Sequence, residues 1–179
     1  MKSILMSIQP YYAYLEMKGI KTVEMRKTEP KDKEWSGKVK VYVSQNKKSF
    51  NRIPKEDREW FTQYVGKVAY EFVCDTVESI PVDSEAFAAI SKPACLTIDE
   101  LLEYCPGSDM YGWHITALKI YDKPRELGDF REQIARKKSY YASPYDVSSY
   151  RTISRYEPIT RPPQSWQYVG EVEEFKPRL

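Results

Sequence analysis

A mixed α+β fold follows from three features of this 179-residue sequence. Short segments alternate apolar and polar side chains with the period of a half-buried strand, residues 38–43 being the clearest case. A longer stretch, residues 67–80, is apolar on both faces, as a strand covered from two sides must be. Between the strands lie short helices that carry their own start and stop signals.

The elements follow in order. Residues 3–8 (Ser-Ile-Leu-Met-Ser-Ile) read as the first strand. Pro10 suits a first helical turn, and Tyr11, Tyr14, Leu15 and Lys18 recur at helical spacing. Gly19 stops this helix, because glycine enters the left-handed cap conformation without steric penalty. Thr22 to Arg26 then alternate, with Thr22, Glu24 and Arg26 on one face and Val23 and Met25 on the other. Charged residues 27–37 form a loop into the strand at 38–43. The polar run 45–60, with Asn46, Lys47, Lys48, Asn51 and Arg52 ahead of Pro54, reads as a loop leading to a short helix near 56–64. One long strand is expected over 67–80. Thr97 and Glu100 have the spacing of a capping box for a helix at 97–102, which Pro106-Gly107 breaks. A strand over 111–121 follows, ended by Lys123-Pro124.

Residues 125–161 differ in character. They are rich in Arg, Lys and Tyr and poor in aliphatics, which predicts an excursion, partly helical near 130–138 and otherwise loop. Residues 162–170 return as a closing segment. A single domain over 1–179 is therefore expected, with its core at about 1–124.

Composition narrows the function. The net charge is only +2, so any nucleic-acid surface must come from local clustering. Three cysteines without a CxxC pair argue against a disulfide framework, and one histidine, His114, removes His-rich zinc sites. We expect no metal and no cofactor. A phosphate-binding glycine loop and a nucleophile elbow are both missing. No apolar run reaches membrane-span length, and Met1-Lys2-Ser3 leads into a strand, so the expectation is a soluble cytoplasmic protein.

The chemistry concentrates in residues 19–26. Arg26 can fork onto an anion, Lys21 supplies a point charge, and Glu24 can accept from a base amino group. The bland reading is a salt-bridged strand face that only stabilises the fold, a weak reason to gather these charges. The pattern G-x-K-x-x-E-x-R, carried by Gly19, Lys21, Glu24 and Arg26, resembles the signature of the ASCH domain family, in the PUA-like group. The flanking "SIQPYYAYLEMKG", "YGWHITALKIY" and "RPPQSWQYV" fall in matching order. The resemblance covers about residues 1–124 and 162–170. It implies a PUA-like β-barrel with a cleft that binds RNA or modified nucleotides, and does not by itself imply catalysis. ASCH-like amidohydrolases acting on N4-acetylcytidine depend on the motif lysine, a threonine three residues later and a downstream acidic residue. Here Lys21 matches, Glu24 replaces the threonine, and residues 86–98 contain no Asp or Glu.

Other segments add to the candidate site. Trp166, beside Gln164 and Ser165, suits either base stacking or core packing. Trp113 and His114 fall on opposite faces of one strand, and both read as structural. Arg136, Lys137, Lys138, Arg151 and Arg155, interleaved with tyrosines, match the mixture that tracks a nucleic-acid backbone. A solvated loop or a protein interface would use the same composition. The expected function is a module binding RNA or single-stranded nucleic acid, including a modified nucleotide. The alternatives are a metal-independent hydrolase of RNA or an acylated nucleoside using Lys21 and Glu24, and an adaptor for a protein partner.

Overall fold

The computed structural model describes residues 2–32, 35–82, 85–140 and 149–171, with backbone alone for 2, 36, 133–140, 149–154 and 171. In chain order the elements are β1 (Lys2–Ile8), α1 (Pro10–Met17), β2 (Val23–Arg26), β3 (Trp35–Val43), α2 (Lys47–Phe50) and α3 (Lys55–Thr62). Then come β4 (Val68–Val73), β5 (Val77–Ile80), α4 (Glu85–Ala94), α5 (Ile98–Tyr104), β6 (Met110–His114) and β7 (Thr116–Arg125). A 3-10 turn (Leu127–Asp129), β8 (Phe130–Tyr140), β9 (Ser149–Pro158) and β10 (Trp166–Glu171) complete the chain.

The fold is mixed α+β. Seven strands form one sheet in the order β7-β4-β3-β1-β10-β8-β9, and β2-β6-β5 form a second. The β1–β3 pair is parallel, whereas β10 lies antiparallel to β1. The large sheet keeps two edges, β7 and β9, so its ladder does not close into the expected barrel. Register shifts between β3 and β4 and between β4 and β7 mark where the ladder departs from regular pairing.

β1 lies at the centre because Ile4, Leu5 and Met6 are all fully buried, which requires cover on both faces. Ile4 and Met6 join Val39, Val41, Tyr70 and Phe72 under α1 and α3, which contribute Ala13, Tyr14 and Phe61. Leu5 packs with Tyr42, Val68, Phe130, Ile159 and Val169 in a separate cluster. The small sheet has a core of its own, with Val23, Met25, Ile80 and Met110 against Phe87, Ile90 and Leu101 of α4 and α5. Trp113 of β6 joins the two sheets: its ring is 5.5 Å from that of Trp35 and 5.6 Å from that of Trp166. These edge and tilted contacts suit the charge distribution of aromatic rings.

Four expectations need correction. Residues 67–80 form two strands, because residues 74–76 carry the chain from the large sheet into the small one. The two-faced apolar pattern holds within β4, where Val68, Ala69 and Tyr70 are all buried, while β5 has exposed residues at Glu78 and Ser79. Residues 111–121 divide at Ile115 for the same reason, and β7 runs past Lys123-Pro124 to Arg125. An edge strand tolerates the missing proline N–H. Residues 81–96, to which the sequence reading assigns no element, contain α4, whose Phe87, Ile90 and Ala94 are buried at helical spacing. Residues 130–138 are not helical: β8 pairs with β9 from Arg131–Pro158 to Tyr140–Ser149. Helix signals are local, and the partner strand, with Tyr150, Thr152, Ile153 and Tyr156, lies beyond their range.

Candidate functional site

The polar face of β2 forms the floor of a cleft of about 800 Å³. Its position starts with the end of α1. Gly19 takes φ +70°, the Gly19 and Ile20 amides donate back to Glu16 and Leu15, and the helix closes in a Schellman turn. Backbone bonds from Lys21 to Leu15 and from Thr22 to Pro93 then fix the approach to β2. All four β2 residues are buried, Val23 and Met25 in the small core and Glu24 and Arg26 along the cleft. Opposite Met25 in the ladder is Gly112, where a Cβ would meet Ile80 Cδ1 and Val23 Cγ1 at 3.1 Å.

Glu24 bridges both cations. Its Oε2 is 2.9 Å from Lys21 Nζ and its Oε1 is 2.8 Å from Arg26 NH2. Lys21 Nζ also donates to the Val23 and Ala94 carbonyls. Three acceptors thus surround the three N–H groups of an ammonium that is 1% exposed. All three N–H groups of Lys21 are thereby occupied. Arg26 NH2 reaches the Ser7 carbonyl at 2.8 Å, and its NH1 faces Ser165 Oγ at 3.4 Å. Arg26 Nε is buried and has no partner among the described residues.

One buried group has no counterpart in the sequence reading. Glu16, at the end of α1, accepts from Tyr70 Oη at 2.6 Å and lies against Glu24. A side-chain hydrogen bond, with protonated Glu16 as the donor, links the two carboxyls; beside the larger effects of burial and charge, it raises Glu16 and lowers Glu24. Burial, then the Glu24 charge, push the Glu16 carboxyl well above its ordinary value of 4.5. Burial also raises Glu24, but Lys21 and Arg26 outweigh it and bring the carboxylate below that value. The floor therefore carries Lys21, Arg26 and the Glu24 carboxylate, and Glu16, whose carboxyl is held toward its protonated form, packs against Glu24 outside the cleft lining. Glu16 sat in a helix without a visible partner, because Tyr70 lies 54 residues away.

Lys21, Glu24, Arg26, Gln164 and Ser165 all line this cleft, although the last two come from the far end of the chain. The Ser7 amide donates to the Ser165 carbonyl at 2.9 Å, so the segment before β10 is stitched to the end of β1. Trp166 takes the packing position: its ring lies between those of Trp113 and Tyr168, and its Nε1 donates to Thr28 Oγ1 at 3.1 Å. Two tyrosines line the cleft instead, Tyr12 and Tyr104, the latter with Lys27 Nζ 4.9 Å from its ring centre. Burial raises the Tyr104 phenol. His114 Nε2 is 3.2 Å from Glu78 Oε2, and Trp113 is wholly buried. The backbones of Arg136, Lys137, Lys138 and Arg151 run in β8 and β9, with Lys138 opposite Arg151, while their side chains lie outside the described residues. Arg155 is exposed and paired with Glu157.

No family model and no curated protein matches the sequence. Solved structures do match. ASCH from Zymomonas mobilis superposes with a TM-score of 0.53 at 17% identity, over 70% of this chain and 74% of that one. A tyrosine-to-phenylalanine variant of the same protein gives 0.53 at 16%, over 71% and 77%. A serine-to-alanine variant gives 0.51 at 16%, over 93% and 87%. Among the described residues no helix is long and apolar enough to cross a membrane. With its large sheet, short helices and matching superposition, this chain has an ASCH-like fold.

Proposed function

We propose that the cleft binds RNA or another single-stranded nucleic acid, taking one nucleotide against the floor formed by Lys21, Glu24 and Arg26. One observation carries the reading: the three charged residues of β2 and its approach share a cleft with Gln164 and Ser165, some 140 residues away. A volume of about 800 Å³ suits an organic ligand of this size. Arg26 is the group for a carbonyl or phosphate oxygen, Gln164 and Ser165 supply neutral donors and acceptors, and Tyr12 and Tyr104 offer stacking faces. Glu24 first holds Lys21 and Arg26 in place; its remaining lone pairs are available to a base amino group. Architecture of the PUA-like kind, as an opened barrel, belongs to this reading, and the basic β8–β9 segment would extend the contact to flanking phosphates.

Fluorescence anisotropy with labelled single-stranded RNA, duplex RNA and single-stranded DNA at two salt concentrations tests the proposal. Salt-sensitive binding of intact probe, weakened in a folded Arg26→Gln/Gln164→Ala variant, is the expected result. Absence of binding to any probe would remove the function, and cleaved probe would replace it with hydrolysis.

A further inference from the structure

The basic run around α2 lines the same cleft as the β2 charges, through Asn46, Lys48, Ser49 and Arg52. We propose that this turn is the seat of a phosphoryl group carried by the nucleoside at the cleft floor. The inference rests on the nucleic-acid reading of the cleft and specifies which side of it takes the phosphate.

The turn is built to hold its shape. Asn46 Oδ1 accepts from the Ser49 amide at 3.0 Å, Arg58 donates to the Ile53 and Asn51 carbonyls at 2.8 and 2.7 Å, and Ile53 is fully buried. Within it the Arg52 guanidinium is already ordered. Its carbon lies 4.1 Å from the Tyr11 ring centre and 5.3 Å from that of Tyr12, and NH1 donates to Tyr12 Oη at 3.2 Å. Stacking occupies the flat face of a guanidinium and leaves in-plane N–H groups for a forked bond to an anion. The nearest carboxylate oxygen, Glu100 Oε1, stands at 3.9 Å, beyond hydrogen-bond reach. Lys48 is exposed and has no acidic partner among the described residues. Ser49, 3% exposed, accepts the Tyr11 amide at 3.1 Å and keeps its hydroxyl hydrogen to donate.

The floor contrasts with this turn, since Lys21 and Arg26 share the Glu24 carboxylate there. Outside the Glu24 cluster, positive charge in the cleft sits at Lys48 and Arg52 on the α2 side and at Lys27 beside the Tyr104 ring; only the α2 side adds a serine hydroxyl, Ser49, to the cations. A forked donor, a point charge and a hydroxyl form a phosphate-binding set. Glu100 and Glu103 of α5 also line the cleft; Glu100 stands within 4 Å of Arg52 NH2, so a phosphate forked onto Arg52 takes over from Glu100 as the anion facing that guanidinium.

Competition against labelled single-stranded RNA tests the seat. The competitors are the four ribonucleosides, their 5′-monophosphates and inorganic phosphate, against wild type, Lys48→Gln and Lys48→Gln/Arg52→Gln. For wild type, monophosphates should displace RNA at roughly tenfold lower concentration than nucleosides, as charge-assisted bonds predict. Inorganic phosphate should compete only far more weakly. The double variant should abolish the preference for monophosphates and reduce the salt slope of RNA binding by about 2, one per lost cation. Lys48→Gln, which changes an exposed side chain, should give part of both effects whether or not the double variant folds. Equal displacement by nucleosides and monophosphates, or an unchanged preference in Lys48→Gln, would overturn the seat while leaving the nucleic-acid reading intact. Inorganic phosphate matching the monophosphates would overturn its link to a nucleoside. Failure of the wild type to bind RNA would remove the reading and the seat together.

Discussion

Glu24 and Glu16 differ in what their burial does. Glu24 is the shared counter-ion of two buried cations, so Glu24→Gln leaves Lys21 charged and uncompensated in the interior. Breaking a buried pair in this way costs ~3–5 kcal/mol, which urea unfolding at neutral pH should register. Glu16 has the opposite sign of pH dependence. Its folded value is raised, so native protein holds a proton that the unfolded chain releases above its ordinary value of 4.5. Its stabilising contribution is complete below that pH and is lost as pH rises toward the folded value. Glu16→Gln keeps an acceptor for Tyr70 without an ionisable proton. That variant should flatten the decline of stability with pH above about 4.5, measured as ΔG of unfolding across the pH range. A decline as steep as in the wild type would show that Glu16 is not the titrating group.

At the scale of elements, legibility tracked the range of the interaction. Thr97 caps α5 with both bonds of a capping box, Thr97 Oγ1 accepting from the Glu100 amide at 3.1 Å and Glu100 Oε2 from the Thr97 amide at 2.9 Å. That motif lies within four residues and was readable from sequence. Thr97→Ala should lower stability by about 1 kcal/mol, seen as a shift in the urea midpoint without a change of slope. Gly19 was readable for the same reason. A Cβ there meets nothing within 4 Å, so Gly19→Ala should lose only the backbone term, about 1 kcal/mol. The alternation in β2 correctly set Glu24 and Arg26 apart from Val23 and Met25. Strand breaks at residues 74–76 and at Ile115 could not be read, since each depends on which sheet receives the next strand. Pairing of β8 with β9 was hidden likewise, as was the Tyr70 bond to Glu16.

For the whole molecule, the cleft is made where β1, β2 and the segment before β10 meet. β1 and β10 pair antiparallel, Ser7 binds Ser165, and β2 from the small sheet reaches across through Arg26. Sequence order suggested which segments contribute, and Lys21, Glu24, Arg26, Gln164 and Ser165 do line one cavity. Missing from that reading were Ser7, Tyr12 and Tyr104, whose contribution is set by tertiary packing alone, and Trp166 goes to the aromatic row between the sheets. On the proposed function, a nucleotide of single-stranded RNA enters this cavity. Amide chemical-shift perturbation of the isotope-labelled protein on titration with a short single-stranded RNA is the most direct test. Shifts concentrated at Ser7, Tyr12, Glu24, Arg26, Gln164 and Ser165 are the predicted result. RNA binding that leaves those amides unmoved and perturbs a different face would rule out this cavity as the site.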